Sequence, residues 1–205
     1  MSGPTIPVTE PAAQTEPVPE SPAVERRPLA ELLPTGTVRL LVALGALAAI
    51  LASFADFGLN GRGLVGAVFC PTLILLAAID LKHRLLPNAI VLPATLAVGL
   101  IVAASTPGHF LAHLLAGLAL GGFFFAFAAF FPGSMGMGDA KLGFLLGVAL
   151  GAKTLGATLI AFAGLLVAAL YVLATRGISA RKDALPFGPF LALGGMVAFF
   201  LGGGI

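Results

Sequence analysis

Residues 110–131 read FLAHLLAGLALGGFFFAFAAFF, a run without one Asp, Glu, Lys or Arg. A helix that crosses a bilayer needs about 20 consecutive apolar residues, with a range of about 17–25, and this run meets that requirement. Six more apolar stretches flank it, at about 38–55, 64–80, 88–105, 140–152, 156–174 and 187–204. The expected fold class is therefore all-α: a polytopic membrane bundle of about seven transmembrane helices. The stretch at 140–152 is the shortest. At 1.5 Å per residue it would reach only about 20 Å, so it is expected to start below the membrane surface or to be partly re-entrant.

Composition agrees. Of the 205 residues 59% are apolar and 10% charged, and the mean hydropathy is +1.06. An ordinary soluble domain carries about 25% charged residues. The net charge of +2 is too small for a polyanion binder, so no nucleic-acid partner is implied; the expected environment is a lipid bilayer. A single cysteine, Cys70, excludes an intrachain disulfide and a cysteine zinc site.

Charge is concentrated at the start. Five of the nine acids (Glu10, Glu16, Glu20, Glu25, Glu31) and eight of the fifteen prolines precede residue 37. Without aromatic residues or an apolar period, 1–36 reads as a disordered, proline-rich cytoplasmic tail, and 37–205 as the integral membrane domain. Lys and Arg in short loops orient a membrane protein. With the N-terminus cytoplasmic, nine basic residues fall inside (Arg26, Arg27, Arg39, Lys82, Arg84, Lys141, Arg176, Arg181, Lys182) and two outside (Arg62, Lys153). Seven spans then place the C-terminus outside.

Only four acids follow the tail: Asp56, Asp80, Asp139 and Asp183. The orientation puts Asp80 and Asp139 at one face of the membrane. Asp80 opens the motif Asp80-Leu-Lys-His-Arg-Leu-Leu-Pro87-Asn88, in which Asn88 is a candidate cap for the next helix. Asp139 closes Gly136-Met-Gly138-Asp139 and is followed by Lys141. A third motif, Leu185-Pro186-Phe-Gly188-Pro-Phe190, reads as a rigid turn into the last helix. Glycines at 136 and 138 suit a tight turn and a close backbone approach. Gly143, Gly147 and Gly151 form a small-residue stripe, matched by Gly117 and Gly121, as expected where spans pack closely. His109 and His113, one turn apart, lie at the opposite face from the acids with no third ligand, so no metal site is read, and no cofactor is implied.

These three motifs, in this order and spacing, resemble the type IV prepilin peptidase family, the GxGD class of membrane aspartic proteases, over roughly residues 64–205. The resemblance implies that Asp80 and Asp139 are the catalytic pair, with Gly136, Gly138, Lys141, Pro87, Asn88, Pro186 and Gly188 in support. It implies prepilin or pseudopilin substrates, cut at the cytoplasmic side of a short basic leader, a place in pilus assembly and protein secretion, and the bacterial inner membrane. Larger members carry a cytosolic insert with paired cysteines associated with N-methylation. That insert is missing here, so the sequence looks like the short form found with tight-adherence (Flp-type) systems. Nothing in the sequence sets the oligomeric state.

Two adjacent carboxyls suit metal-free peptide hydrolysis, because like charges at close range cannot both ionise cheaply and the pair holds one proton. Helix polarity suggests Asp139, at a helix N-terminus, as the base and Asp80, at a helix C-terminus, as the proton holder. The alternative is a proton-coupled membrane transporter subunit using Asp80 and Asp139. A proton path wants ionisable groups at several depths, whereas both acids here fall on one side.

Overall fold

The structure is a computed structural model and describes residues 28–131, 135–176 and 185–202. Every regular element among them is helical: α1 (Leu29–Leu32), α2 (Gly36–Phe57), α3 (Gly61–His83), α4 (Asn88–Ser105), α5 (Phe110–Phe130), α6 (Met137–Leu150), α7 (Thr154–Arg176) and α8 (Gly188–Leu201), with a 3₁₀ turn at Gly151–Lys153 joining α6 to α7. The seven long helices fall on the seven apolar stretches. Five helical stretches are long and apolar enough to cross a membrane, the last of them Met137–Thr175, which takes in α6, the turn and α7; α8 is apolar but shorter. α1 lies in the stretch read as tail, and its Leu32 is buried. Residues 1–27, with Arg26 and Arg27, and residues 177–184, with Arg181 and Lys182, lie outside the described residues.

Local chemistry sets the ends. Asn60 caps α3, its Oδ1 accepting from the N–H groups of Arg62 at 3.0 Å and Gly63 at 3.1 Å, as a side-chain oxygen at an N-cap should. α3 ends at Arg84, whose backbone is left-handed (φ 52°, ψ 43°) and whose N–H donates to the Asp80 carbonyl at 2.9 Å. For a residue with a Cβ that conformation costs on the order of 1 kcal/mol.

α3 packs on α2, α4 and α8, whereas α6 packs on α5, α4 and α8. α6 is the centre of the bundle, with nine of its 14 residues buried. Its lack of a polar face follows from that position, since an all-round apolar helix must be enclosed. α5 closes on it backbone to backbone: a Cβ on Gly147 would overlap the Gly117 backbone, and one on Gly143 would come within 2.8 Å of the Phe124 ring. The glycine stripes pack as their spacing predicted.

Facing outward are Phe123, Phe125, Phe130 and Phe131 with many leucines, while Phe124 and Cys70 are wholly buried. An apolar exterior of that extent needs an apolar solvent.

α5 runs antiparallel to α6, with Gly121 against Ala140 and Phe144. The rest of α5, residues 122–130, continues about 14 Å past that level. α7 likewise pairs Phe162 with Phe187 (ring centroids 5.3 Å apart) and runs about 21 Å further, through residues 163–176. The starts of α6 and α8 are thus recessed within the bundle, as the shortness of 140–152 suggested.

Gly147→Ala is expected to destabilise the bundle by about 1–3 kcal/mol through overpacking. Gly122→Ala, on the same helix pair but with nothing within 4 Å of its Cβ, is expected to be neutral. Thermal unfolding in detergent, followed by a thiol-reactive dye that reports exposure of Cys70, distinguishes the two.

Candidate active site

The recess holds a cavity of about 520 Å³ lined by both Asp80 and Asp139. Asp80 reaches it from the last turn of α3 and Asp139 from the first turn of α6. The two carboxylates are close enough for one to feel the other's charge. Pro87, Asn88, Gly136, Gly138 and Lys141 line the same cavity. Two motifs more than fifty positions apart in sequence therefore converge on one space.

Each acid is held by a backbone amide. Asp80 is buried, and its Oδ2 accepts from the Gly188 N–H at 3.1 Å. Gly188 is the first residue of α8, so this N–H belongs to the set a helix N-terminus leaves unpaired. The following Pro189 has no N–H to leave unsatisfied. A Cβ on Gly188 would lie 2.6 Å from Asp80 Oδ2, so glycine is what lets the carboxylate reach the helix end. The third motif acts through this contact from behind Asp80. Pro186 does not line the cavity.

Asp139 is half-buried. Its Oδ2 accepts from the Gly136 N–H at 3.2 Å, and its own N–H donates to the Gly136 carbonyl at 3.0 Å. This is the reciprocal pairing of a helix start. The proton-holder assignment based on each acid's own helix does not survive tertiary structure. Asp80 ends α3 but also sits on the N-terminus of α8, so both carboxylates face the positive end of a helix and neither is singled out.

Two supporting residues differ from expectation. Asn88 does not cap α4. Pro87 occupies the cap position, and Asn88 Oδ1 instead accepts from Lys141 Nζ at 2.7 Å. Lys141 thereby ties α6 to α4 across the rim of the cavity. Gly136 has φ −82° and only ordinary contact distances around its missing Cβ, whereas a Cβ on Gly138 would press to 2.8 Å from Leu86 Cβ. The close approach belongs to Gly138 alone.

Sequence reasoning missed Arg84 and α1. Arg84 lines the cavity and its charge acts on Asp80; the sequence marked it only as a topological charge. Leu29 and Leu32 of α1 form part of the wall, and no apolar period in so short a segment could have announced them.

The profile of the type IV leader peptidase family matches residues 67–173, more than half of the chain. A prepilin leader peptidase/N-methyltransferase of Bacillus subtilis (strain 168) is 37% identical over 155 residues, covering 73% of this chain and 60% of the relative. One of the same description from Burkholderia pseudomallei (strain 1026b) is 35% identical over 192 residues, covering 89% of this chain and 57% of the relative. A third, from Legionella pneumophila, is 36% identical over 143 residues, covering 65% and 48%. The chain thus spans about half to three-fifths of the length of the relatives it matches. No solved structure matches it. Apolar helices long enough to cross a membrane, a profile match over most of the helical core and relatives above one-third identity make this multi-pass membrane protein a member of the type IV leader peptidase family.

Proposed function

We propose that this chain is a membrane aspartic endopeptidase that removes the basic leader of type IV prepilin-like substrates, with Asp80 and Asp139 as its acid/base pair. The observation that carries the reading is the shared cavity: the two acids of the membrane domain's motifs meet there, each aligned by a helix N-terminal amide.

Hydrolysis consumes one water and needs one proton on the pair. The ionised carboxylate takes a proton from water as the water oxygen attacks the scissile carbonyl carbon. The protonated carboxyl gives its proton to the carbonyl oxygen, producing a neutral tetrahedral diol. On collapse the first acid protonates the departing nitrogen, a diol hydroxyl returns a proton to the second, and the C–N bond breaks. The pair ends as it began, with one proton. Backbone amides at 188 and 136 keep the two carboxylates aimed through this exchange, and positioning of this kind is worth a large part of any barrier reduction.

Leu29, Leu32, Leu85 and Leu86 give the cavity an apolar wall, which suits a substrate whose scissile bond adjoins a hydrophobic segment. The finer reading takes the cavity to open on the cytoplasmic face of the bacterial inner membrane, with the N-terminus cytoplasmic and the substrates of the Flp/Tad type. Its orientation rests on the basic-residue asymmetry. It covers leader cleavage; the methylation named for the relatives is not assigned to this chain, whose only cysteine is buried. The transporter reading is weaker, because the acids share one cavity and form no series through the bundle.

Asp80→Asn and Asp139→Asn are each expected to lower cleavage of a co-expressed cognate prepilin by at least about 10²-fold at unchanged membrane levels. Substantial processing by either variant contradicts the dyad. Cleavage is expected to persist in EDTA, because the chemistry assigned here needs only the two carboxyls and water; zinc-restored loss would overturn it. The two glycines should separate: Gly138→Ala is expected to impair cleavage by forcing the α6 start away from Leu86, whereas Gly136→Ala should stay close to the parent. Equal effects would show that the contact with Leu86 is not what Gly138 supplies.

A further inference from the structure

α1 (Leu29–Leu32) is too short to cross a membrane, or to persist on its own hydrogen bonds. Burial holds it in place. Leu32 is 4% exposed, and Pro34, just past the helix, is buried as well.

The residues of this short helix divide between two spaces. Leu29 and Leu32, one turn apart on one face, line the cavity that holds Asp80 and Asp139. Ala30 and Leu33, on the adjoining face, line a separate groove of about 600 Å³ between α2 and α3, with Val42 and Leu75 among its other walls. α1 is therefore a partition one helix thick, with open space on both sides.

The leucines that line the acid cavity come from two sources. Leu85 and Leu86 belong to the loop that follows Asp80, and Leu86 is buried directly over Gly138 at the start of α6. A change there disturbs the acids themselves. Leu29 and Leu32 are separable from that machinery, because the amides that hold Asp80 and Asp139 come from Gly188 and Gly136. Leu29 is 39% exposed, so its side chain is available to a ligand, while Leu32 anchors the helix and completes the wall.

A peptide cut in this cavity lays its scissile carbonyl at the two carboxyls. In an extended backbone successive side chains point to opposite sides, so the residues that flank the bond meet different walls. Arg84, Asn88 and Lys141 give one part of the lining polar character. The α1 wall offers leucine carbons. A basic leader side chain gains nothing against them, whereas an apolar side chain gains burial.

We propose that α1 sets the substrate specificity of the peptidase: Leu29 and Leu32 form the subsite for the side chain on the carboxyl side of the cut bond and determine how large a residue is accepted there. The inference rests on the peptidase reading above, in which a basic leader departs from the amino side and an apolar segment remains.

The test uses purified full-length protein in detergent with its cognate prepilin. The residue after the cut is located by N-terminal sequencing of the product and is then changed to Ala, Leu and Phe. Initial rates at subsaturating substrate give the relative kcat/KM of the three. The Phe-to-Leu ratio is expected to rise by roughly four-fold in Leu29→Ala, which widens the subsite, and to fall by as much in Leu29→Phe, which narrows it; that is the amount expected for one buried methylene. Leu32→Val, a milder change at the anchoring position, should move the ratio in the same direction as Leu29→Ala. Leu33→Ala, on the groove face of the same helix, should keep the parental ratio. A variant that is merely less stable slows all three substrates together and leaves the ratios alone, so the ratio separates a subsite from a structural support.

Parental ratios in all three subsite variants overturn the proposal, as does an equal shift in Leu33→Ala. Asp80→Asn, assayed beside them on the unaltered prepilin, keeps the two readings apart. Parental ratios with an inactive Asp80→Asn mean that only the role of α1 is wrong. Shifted ratios with an active Asp80→Asn keep the subsite and remove the dyad. A parent protein that cuts none of the three substrates overturns both.

Discussion

The contact on which the rest depends is the glycine-to-glycine approach of α5 and α6. Without side chains at Gly117 and Gly147 the two backbones meet directly, and small-residue contacts of this kind replace the hydrophobic drive that lipid does not supply. That contact, together with α4 and α8, encloses a helix of only 14 residues. An enclosed helix need not match the bilayer thickness, so α6 begins well short of the ends of α5 and α7. Asp139, on its first turn, is thereby carried into the interior of the bundle.

Placing a carboxylate there is expensive unless it is paired or hydrogen-bonded. Both acids meet that demand in the same way, by taking an amide at a helix start. Asp139 uses its own helix. Asp80 stands at the wrong end of its own helix and borrows α8, through a glycine whose missing Cβ leaves just enough room. The rim is then tied by Lys141 to Asn88, so all three motifs are joined physically. α8 delivers the amide to Asp80 and α4 the asparagine to Lys141, so both neighbours shared by α3 and α6 take part in the cavity.

The two ends of the bundle differ in chemistry. One recess gathers carboxylates and the other gathers Arg62, Lys153 and two histidines.

The helices, their order and the short fifth span were legible in the sequence, because uninterrupted apolar runs have no other stable form in a membrane. So were the two acids and the glycine stripe, since in so apolar a chain each charge is conspicuous and each small-residue repeat marks a packing face. What only the tertiary structure decided is who touches whom. Asn88 meets a lysine rather than capping its helix, Gly138 but not Gly136 is sterically required, and Arg84 joins the acid site from a left-handed turn. Asp80 receives an amide from α8, more than a hundred residues away, which offsets the polarity of the helix that carries it. These are contacts between segments distant in sequence. Local periodicity and helix polarity report only what a residue does to its own helix, and packing determines which other helix it meets.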